Sequence, residues 1–184
     1  MKRTTDTVLI PLFTALTAVG AFIKIPVPYV PFTLQTLMVM FAGLILGSRG
    51  GALSQLLYLV LGLMGLPIFA QGGGPAYVLQ PSFGFLLGFI PGAYVIGKIL
   101  EGPRDLSLPR VIAALAAGQG VVYLFGLSYL YLNLNLILNK SVSPFAVLTA
   151  GCLIFLPGDV LKTAVAALVM VPLRHRLFSK IKTN

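Results

Sequence analysis

The chain has 184 residues, of which 58% are apolar and only 9% are charged, whereas a soluble domain carries about 25% charged residues. Such a chain cannot cover its own surface with groups that water solvates, which excludes a soluble enzyme, a disordered segment and a disulfide scaffold. The net charge of +9 does not indicate nucleic-acid binding, because the basic residues are scattered between apolar segments and do not cluster on one face. The composition indicates a polytopic membrane protein.

The apolar runs predict an all-α integral membrane protein with six transmembrane helices in a single domain, residues 1–184. A helix needs about 20 apolar residues to cross a bilayer, so the chain has room for roughly six crossings and no soluble second domain. Spanning β-strands would instead alternate polar and apolar residues. The predicted helices cover about residues 8–23, 32–46, 52–66, 83–100, 111–132 and 145–173. Residues 133–140 form either an interfacial turn or a short helix.

The first apolar segment follows a basic start, which fits either a signal peptide or a retained first helix. We favour a retained helix, because further hydrophobic segments follow at once. Small residues recur four apart on this helix, and such a face lets another helix approach closely. The face either packs within the chain or docks on a partner subunit. Its residues are Thr14, Ala18, Thr17 and Ala21.

Three prolines between residues 26 and 31 end the first helix and predict a stiff, extended loop. The basic residues then give the orientation. With the N-terminus inside, the outer face holds only Lys24 and Lys140, and the inner face holds ten basic residues, so both termini are predicted to be cytoplasmic. The ten are Lys2, Arg3, Arg49, Lys98, Arg104, Arg110, Arg174, Arg176, Lys180 and Lys182.

The uncharged loop over residues 67–82 is either a flexible connector or a ligand-binding segment. It contains three consecutive glycines, Gly72 to Gly74, which let backbone N–H groups come close to a ligand. Tyr77 and Gln80 follow the glycines and can add polar contacts. A structureless loop of this length is more often functional than incidental.

Two ionisable residues, Asp159 and Lys162, lie inside the last predicted helix. A spacing of three puts both side chains on one helix face. An ionisable group at the bilayer centre costs at least about 2.5–3.5 kcal/mol, and it normally faces protein or a water-filled cavity. The pair therefore lines a polar pocket, or locks helix packing as an internal ion pair, or Lys162 extends towards the inner interface. In a pocket, Asp159 would accept and Lys162 would donate hydrogen bonds, which suits a neutral ligand with both kinds of group.

Sets of residues that carry catalysis or bind metal are missing from the sequence. The only histidine, His175, lies in the basic tail, and the only cysteine, Cys152, lies in an apolar run. Neither HExxH, GxSxG nor the phosphate loop GxxxxGK[ST] occurs. We therefore expect a protein that is not an enzyme and that holds no metal and no cofactor.

Four blocks of sequence together have the pattern of one family. They are VPFTLQTL at 30–37, the segment 62–70 that ends in PIFA, PSFGFLLGF at 81–89 and LPGDVLK at 156–162. The combination resembles the BioY family, the biotin-binding S components of energy-coupling factor (ECF) transporters. The resemblance spans nearly the whole chain.

The resemblance implies a capture subunit in a prokaryotic cell membrane that binds biotin from outside. It would deliver biotin together with a separate ECF transmembrane coupling subunit and two ATPases, which would supply the energy. By the same resemblance, Asp159 would accept a ring N–H of the biotin ureido group and Lys162 would donate to its carbonyl. Loop 26–31 would close over the site, and further residues would hold the thioether ring and the carboxylate. The candidates for that role are Phe32, Gln35, Tyr77, Gln80 and Phe85.

On helix 1, Thr replaces the first Ala of both pairs in the family's docking pattern. Two other functions remain as alternatives to biotin capture. One is an S component for a different vitamin, which the PFTLQTL and LPGDVLK blocks disfavour. The other is a stand-alone facilitator, which would move its solute without ATP or partner subunits.

Overall fold

The computed structural model describes residues 2–102 and 107–179, with side chains over 8–102 and 107–170. Arg104 and the basic side chains predicted at both termini lie outside these ranges. The described chain is mainly helical. Its helices are α1 (Lys2–Phe22), α2 (Gln35–Leu63), α3 (Phe83–Leu100), α4 (Leu108–Leu132), α5 (Pro144–Leu148) and α6 (Leu156–Ser179). Two short strands, β1 (Lys24–Ile25) and β2 (Phe32–Thr33), pair antiparallel and enclose the proline-rich loop.

Helix α2 is a hairpin with two arms, because Gly47 has φ 74° and ψ −172° inside it. A left-handed φ of this kind favours glycine. The arms lie antiparallel: a Cβ on Gly51 would lie 3.1 Å from the Gly43 Cα, and Gln35 Nε2 lies 2.7 Å from the Tyr58 hydroxyl. The predicted second and third helices therefore both exist, but a single residue connects them, where the predicted ranges left residues 47–51 between them.

The last predicted helix is interrupted. After α5, residues Thr149–Leu153 form a π turn, and α6 begins only at Leu156. Proline lacks an N–H and is favoured in the first turn of a helix, which explains why Pro157 follows the interruption. Residues 133–140 were predicted to form either an interfacial turn or a short helix. Asn133–Ile137 form a π turn that directly continues α4.

Four described segments are long and apolar enough to cross a membrane: Gln35–Leu63, Phe83–Leu100, Leu108–Ile137 and Pro144–Met170. A shorter apolar helix covers Val8–Phe22. These segments confirm that the chain is a helical membrane protein.

The small-residue face of α1 is directed into the chain. Thr14 Oγ1 donates to the Ser54 carbonyl at 2.9 Å, Gln55 Nε2 donates to Thr17 Oγ1 at 3.2 Å, and Ala21 is fully buried. Ala18 is half-buried and packs against the core. Of the two alternatives for this face, packing within the chain is the one observed. Within the single chain Thr14, Thr17 and Ala21 are buried and Ala18 is half-buried, and docking of this face on a partner subunit stays a prediction.

Helices α3 and α4 approach closely because glycines line their interface. On α3 these glycines are four residues apart, at Gly84, Gly88 and Gly92. A Cβ on Gly88 would lie 2.9 Å from the Val122 Cα and 3.0 Å from the Val122 carbonyl oxygen. Backbone atoms cannot move aside as a flexible side chain can, so this contact requires glycine.

Gly88→Ala is predicted to destabilise the protein by about 1–3 kcal/mol, because the added methyl group overpacks the α3–α4 interface. The matched control is Gly120→Ala on α4, where a Cβ meets nothing within 4 Å. The apparent Tm of both variants in detergent checks this. Equal Tm values for the two variants would contradict the backbone contact.

The α2 turn is clamped to the end of α3 by Glu101. Its Oε1 accepts a hydrogen bond from the Ser48 hydroxyl and another from the Ser48 backbone N–H at 3.1 Å. Lys98 Nζ lies 3.4 Å from Oε2 in an exposed ion pair. The hydrogen bonds from Ser48, with a smaller effect of the Lys98 charge, hold the pKa of Glu101 below its ordinary value of 4.5.

A carboxyl whose pKa is lowered on folding stabilises the fold above its ordinary pKa, and this stabilisation is lost as the pH falls through the lowered pKa. Glu101→Gln is therefore predicted to lower the free energy of unfolding at pH 7 by less than about 1 kcal/mol at this exposed site, and the Tm with it. The Tm difference between the two proteins should begin to shrink as the pH falls below 4.5 and vanish once the pH is below the lowered pKa of Glu101. Lys98→Gln, which leaves Ser48 hydrogen-bonded, is the control. A difference that stays constant with pH would show that the charge of Glu101 does not stabilise the turn.

Candidate functional site

A cavity of about 520 Å³, a volume that includes its opening to solvent, lies between helices α2, α3, α4 and α6 and loops 26–31 and 67–82. Most of its wall is apolar. Its polar lining consists of Thr33, Gln35, Thr36, Tyr77, Ser82, Gln119, Tyr123, Asp159 and Lys162.

The charged part of this lining is the ion pair of Asp159 and Lys162, with Nζ 2.9 Å from Oδ1. The two residues are only 6% and 5% exposed. Both lie near the start of α6, where the spacing of three predicted for them puts them on one face. Removing two charges from water is costly unless other groups also hydrogen-bond them.

Those groups come from α4 and α2. Gln119 Nε2 donates to Asp159 Oδ2 at 3.0 Å, and the Tyr123 hydroxyl donates to the same oxygen. Lys162 Nζ also donates to Thr36 Oγ1 at 2.9 Å and lies 3.8 Å from the centre of the Phe32 ring. The network joins three helices and leaves both charges hydrogen-bonded.

The network is not saturated. An ionised carboxylate can accept about four hydrogen bonds, and Asp159 accepts three from the described residues. An ammonium group donates three, and Lys162 donates two, to Asp159 and Thr36. The pair therefore offers one acceptor and one donor side by side in an apolar cavity.

A second polar group is built around Gln35. Its Oε1 accepts from Thr33 Oγ1 at 3.0 Å, and its Nε2 donates to the Tyr58 hydroxyl, which in turn donates to the Ile68 carbonyl at 2.8 Å. One N–H and one lone pair of the amide remain for a ligand. Tyr58 thus fixes the orientation of Gln35 and links the first turn of α2 to loop 67–82.

Loop 67–82 contributes Tyr77 from its short 3₁₀ turn, Pro75–Leu79. Burial raises the pKa of the Tyr77 phenol, although a hydrogen bond with Ser82 lowers it in part, so the phenol remains a neutral hydroxyl. The two hydroxyl oxygens are 3.4 Å apart. This weak contact leaves both groups able to bind another partner.

Aromatic rings form the apolar wall. The rings of Phe32 and Phe155 stack with centroids 5.8 Å apart and an interplanar angle of 17°. Phe85 packs edge-on against Tyr123 at 6.4 Å. Both arrangements place flat apolar surface beside the polar pair.

Six of the seven residues predicted from the sequence to bind the ligand line this cavity. These are Asp159, Lys162, Phe32, Gln35, Tyr77 and Phe85. Gln80 is the exception: its side chain is exposed and is not part of the lining, although its backbone N–H bonds to the Tyr77 carbonyl.

Sequence reasoning missed Gln119, Tyr123 and Thr36. A signal for the first two existed, because two polar residues four apart lie on one face of an otherwise apolar helix, and polar groups in a membrane helix usually face the protein interior. Thr36 carried no comparable signal, since a threonine in a membrane helix commonly bonds to its own backbone.

The fold and cavity define a class of protein: a multi-pass helical membrane protein with a buried polar pair in a largely apolar cavity. The BioY family model matches residues 1–179. The probable biotin transporter BioY of Lysinibacillus sphaericus is 49% identical over 142 residues, covering 77% of this chain and 72% of that protein. The biotin transporter BioY of Thermotoga maritima is 40% identical over 164 residues, covering 89% of this chain and 92% of that protein. The chain therefore belongs to the BioY family.

A solved structure has the same fold. It is the S-component for biotin from an ECF-type ABC transporter, with a TM-score of 0.79 over 94% of this chain and 92% of that chain. The sequence identity in this comparison is 23%.

Tyr123→Phe is predicted to destabilise the ligand-free protein by about 1–3 kcal/mol, because it removes a donor from a buried carboxylate. Tyr131→Phe is the control. Tyr131 also lies on α4 but is 38% exposed. The apparent Tm of each variant in detergent is the measurement, and a Tyr123→Phe variant as stable as the control would remove the hydroxyl from the network.

Proposed function

We propose that this chain captures biotin at high affinity in the membrane and delivers it to an ECF-type ABC transporter for ATP-driven uptake. The observation that carries the proposal is the unsaturated Asp159–Lys162 pair inside an apolar cavity. The names of the relatives and of the solved structure give the same ligand.

The chemistry of biotin suits this cavity. Its ureido ring presents an N–H and a carbonyl as neighbours, and the pair offers one acceptor and one donor as neighbours. In the proposed complex, Asp159 accepts a ring N–H and Lys162 donates to the ring carbonyl. Neither contact requires the existing bonds to Thr36 or Gln119 to break.

The remaining lining suits the rest of the ligand. Phe32 and Phe85 provide apolar surface for the thioether ring, and Gln35 and Tyr77 retain free hydrogen-bonding groups near it. Val30 and Pro31, at the end of loop 26–31, line the cavity, which supports a lid role for that loop. Gln80 is left out of the proposed site because its side chain is exposed.

We propose six membrane crossings in one domain, residues 1–184, with both termini cytoplasmic. The two arms of α2 and the continuous apolar segment formed by α5 and α6 support the count, together with α1, α3 and α4. The charges support the orientation. Arg49, Lys98 and Arg110 lie at the end of the bundle that holds the α2 turn. Lys24 and Lys140 lie at the opposite end, where loops 26–31 and 67–82 are found, which we call the loop end.

The proposed partners are an ECF transmembrane coupling subunit and two ATPase subunits, in a prokaryotic plasma membrane. The sequence has no phosphate loop, so ATP hydrolysis is assigned to those subunits and the chain itself is proposed not to be an enzyme. The proposed docking face for the coupling subunit is the small-residue face of α1, Thr14, Ala18, Thr17 and Ala21, although three of these four residues are buried within the single chain.

Isothermal titration of the detergent-purified chain with biotin tests the proposal. We expect one-to-one binding without any partner, and an Asp159→Asn variant should bind at least about tenfold more weakly, the scale of a charged hydrogen bond. Lys162→Met should show a similar loss. Glu101→Gln removes a carboxylate at the far end of the bundle and should leave the Kd unchanged.

Three outcomes would contradict the proposal. No heat of binding from folded protein would remove biotin as the ligand and favour another vitamin, which a vitamin panel would identify. An unchanged Kd in Asp159→Asn would remove the ion pair from the site. Biotin flux into liposomes that contain the chain alone would favour the stand-alone facilitator.

A further inference from the structure

The loop end of the cavity is a second chemical environment, distinct from the ion pair. Along α4, Tyr123 bonds to Asp159 and Tyr129 bonds to the Val78 carbonyl in loop 67–82. Six helical residues rise about 9 Å. A ligand that has its polar head at Asp159 and extends by about this length along α4 therefore has its other end close to this loop.

Lys24 bridges the two loops that form this end. Its ammonium group donates to the carbonyl of Ala70, which lines the cavity, while Lys24 itself lies in β1 beside the proline-rich loop. Lys24 is exposed. Only one of its three N–H groups is used by the described residues, so two remain for a ligand.

The charges at this end have one sign. Among the side chains described over 8–102 and 107–170, the only charged ones at the loop end are Lys24 and Lys140. Lys140 Nζ lies 4.9 Å from the centre of the Tyr29 ring in the proline-rich loop. The described part of the loop end thus carries two positive charges and no carboxylate to balance them.

We propose that Lys24 is a specificity residue that binds the anionic tail of the ligand, so that the site selects a carboxylate over a neutral tail. The inference rests on the proposed function, since it takes biotin as the ligand and biotin carries such a carboxylate. A carboxylate is a stronger acceptor for an ammonium group than the Ala70 carbonyl, because it carries a full negative charge and the carbonyl has only a dipole. Lys140 adds to the positive potential without touching the tail.

The test compares biotin with biotinamide, whose tail is neutral, by isothermal titration at low salt. The wild-type chain should prefer biotin by about tenfold. Lys24→Gln should weaken biotin binding by a similar factor and leave biotinamide binding within about twofold, so the preference disappears. Lys24→Arg should restore most of it. Lys98→Gln, which removes an exposed cation at the opposite end, should change neither Kd.

Salt gives an independent readout. Because Lys24 is exposed, raising the ionic strength should weaken binding of biotin to the wild-type chain more than binding of biotinamide. Equal affinity of the wild-type chain for both ligands, or a preference that survives Lys24→Gln, would overturn the inference while leaving biotin capture intact. Failure of the wild-type chain to bind biotin at all would overturn both the proposed function and the inference.

Discussion

The arrangement of the bundle depends on a pair of opposite charges held inside an apolar interior. Removing Asp159 and Lys162 from water costs several kcal/mol for each ion, and their mutual attraction offsets this only when the remaining lone pairs and protons find partners. Gln119 and Tyr123 on α4 and Thr36 on α2 supply those partners. The same contacts fasten α6 to the bundle, so the residues that carry the site's chemistry also hold its last helix in place.

The opposite wall of the cavity is held differently. Helices α3 and α4 are joined through glycines that leave no room for a side chain, and the α2 turn is clamped to α3 through Glu101. The glycine contacts bring one backbone against another and have little freedom to adjust. A bound ligand can therefore exchange hydrogen bonds with the network of Asp159 and Lys162. The α3–α4 interface, in contrast, is too tightly packed to move when a ligand binds.

Much of this could be predicted from the sequence, because the signals were local. Asp159 and Lys162 were found by charge within an apolar run, and the helical segments by their length. What the sequence could not predict depends on contacts between distant residues. Nothing near Thr14 or Thr17 indicated that Ser54 and Gln55 would cover them. Nor did any local feature indicate that Gln80 would lie outside the cavity while Tyr77 lies within it.

The turn at Gly47 has a consequence for how the length of this chain can vary. Because a single residue connects the two arms of α2, the connection is too short to accommodate an inserted residue. One added residue inside the second arm would rotate all that follows by about 100°, which would turn Tyr58 away from Gln35 and Gln55 away from Thr17. Additions to loop 67–82 are less constrained, since its anchors to α4 are two backbone carbonyls, at Val78 and Leu79. Natural variation in length should accordingly gather in the loops and spare the hairpin.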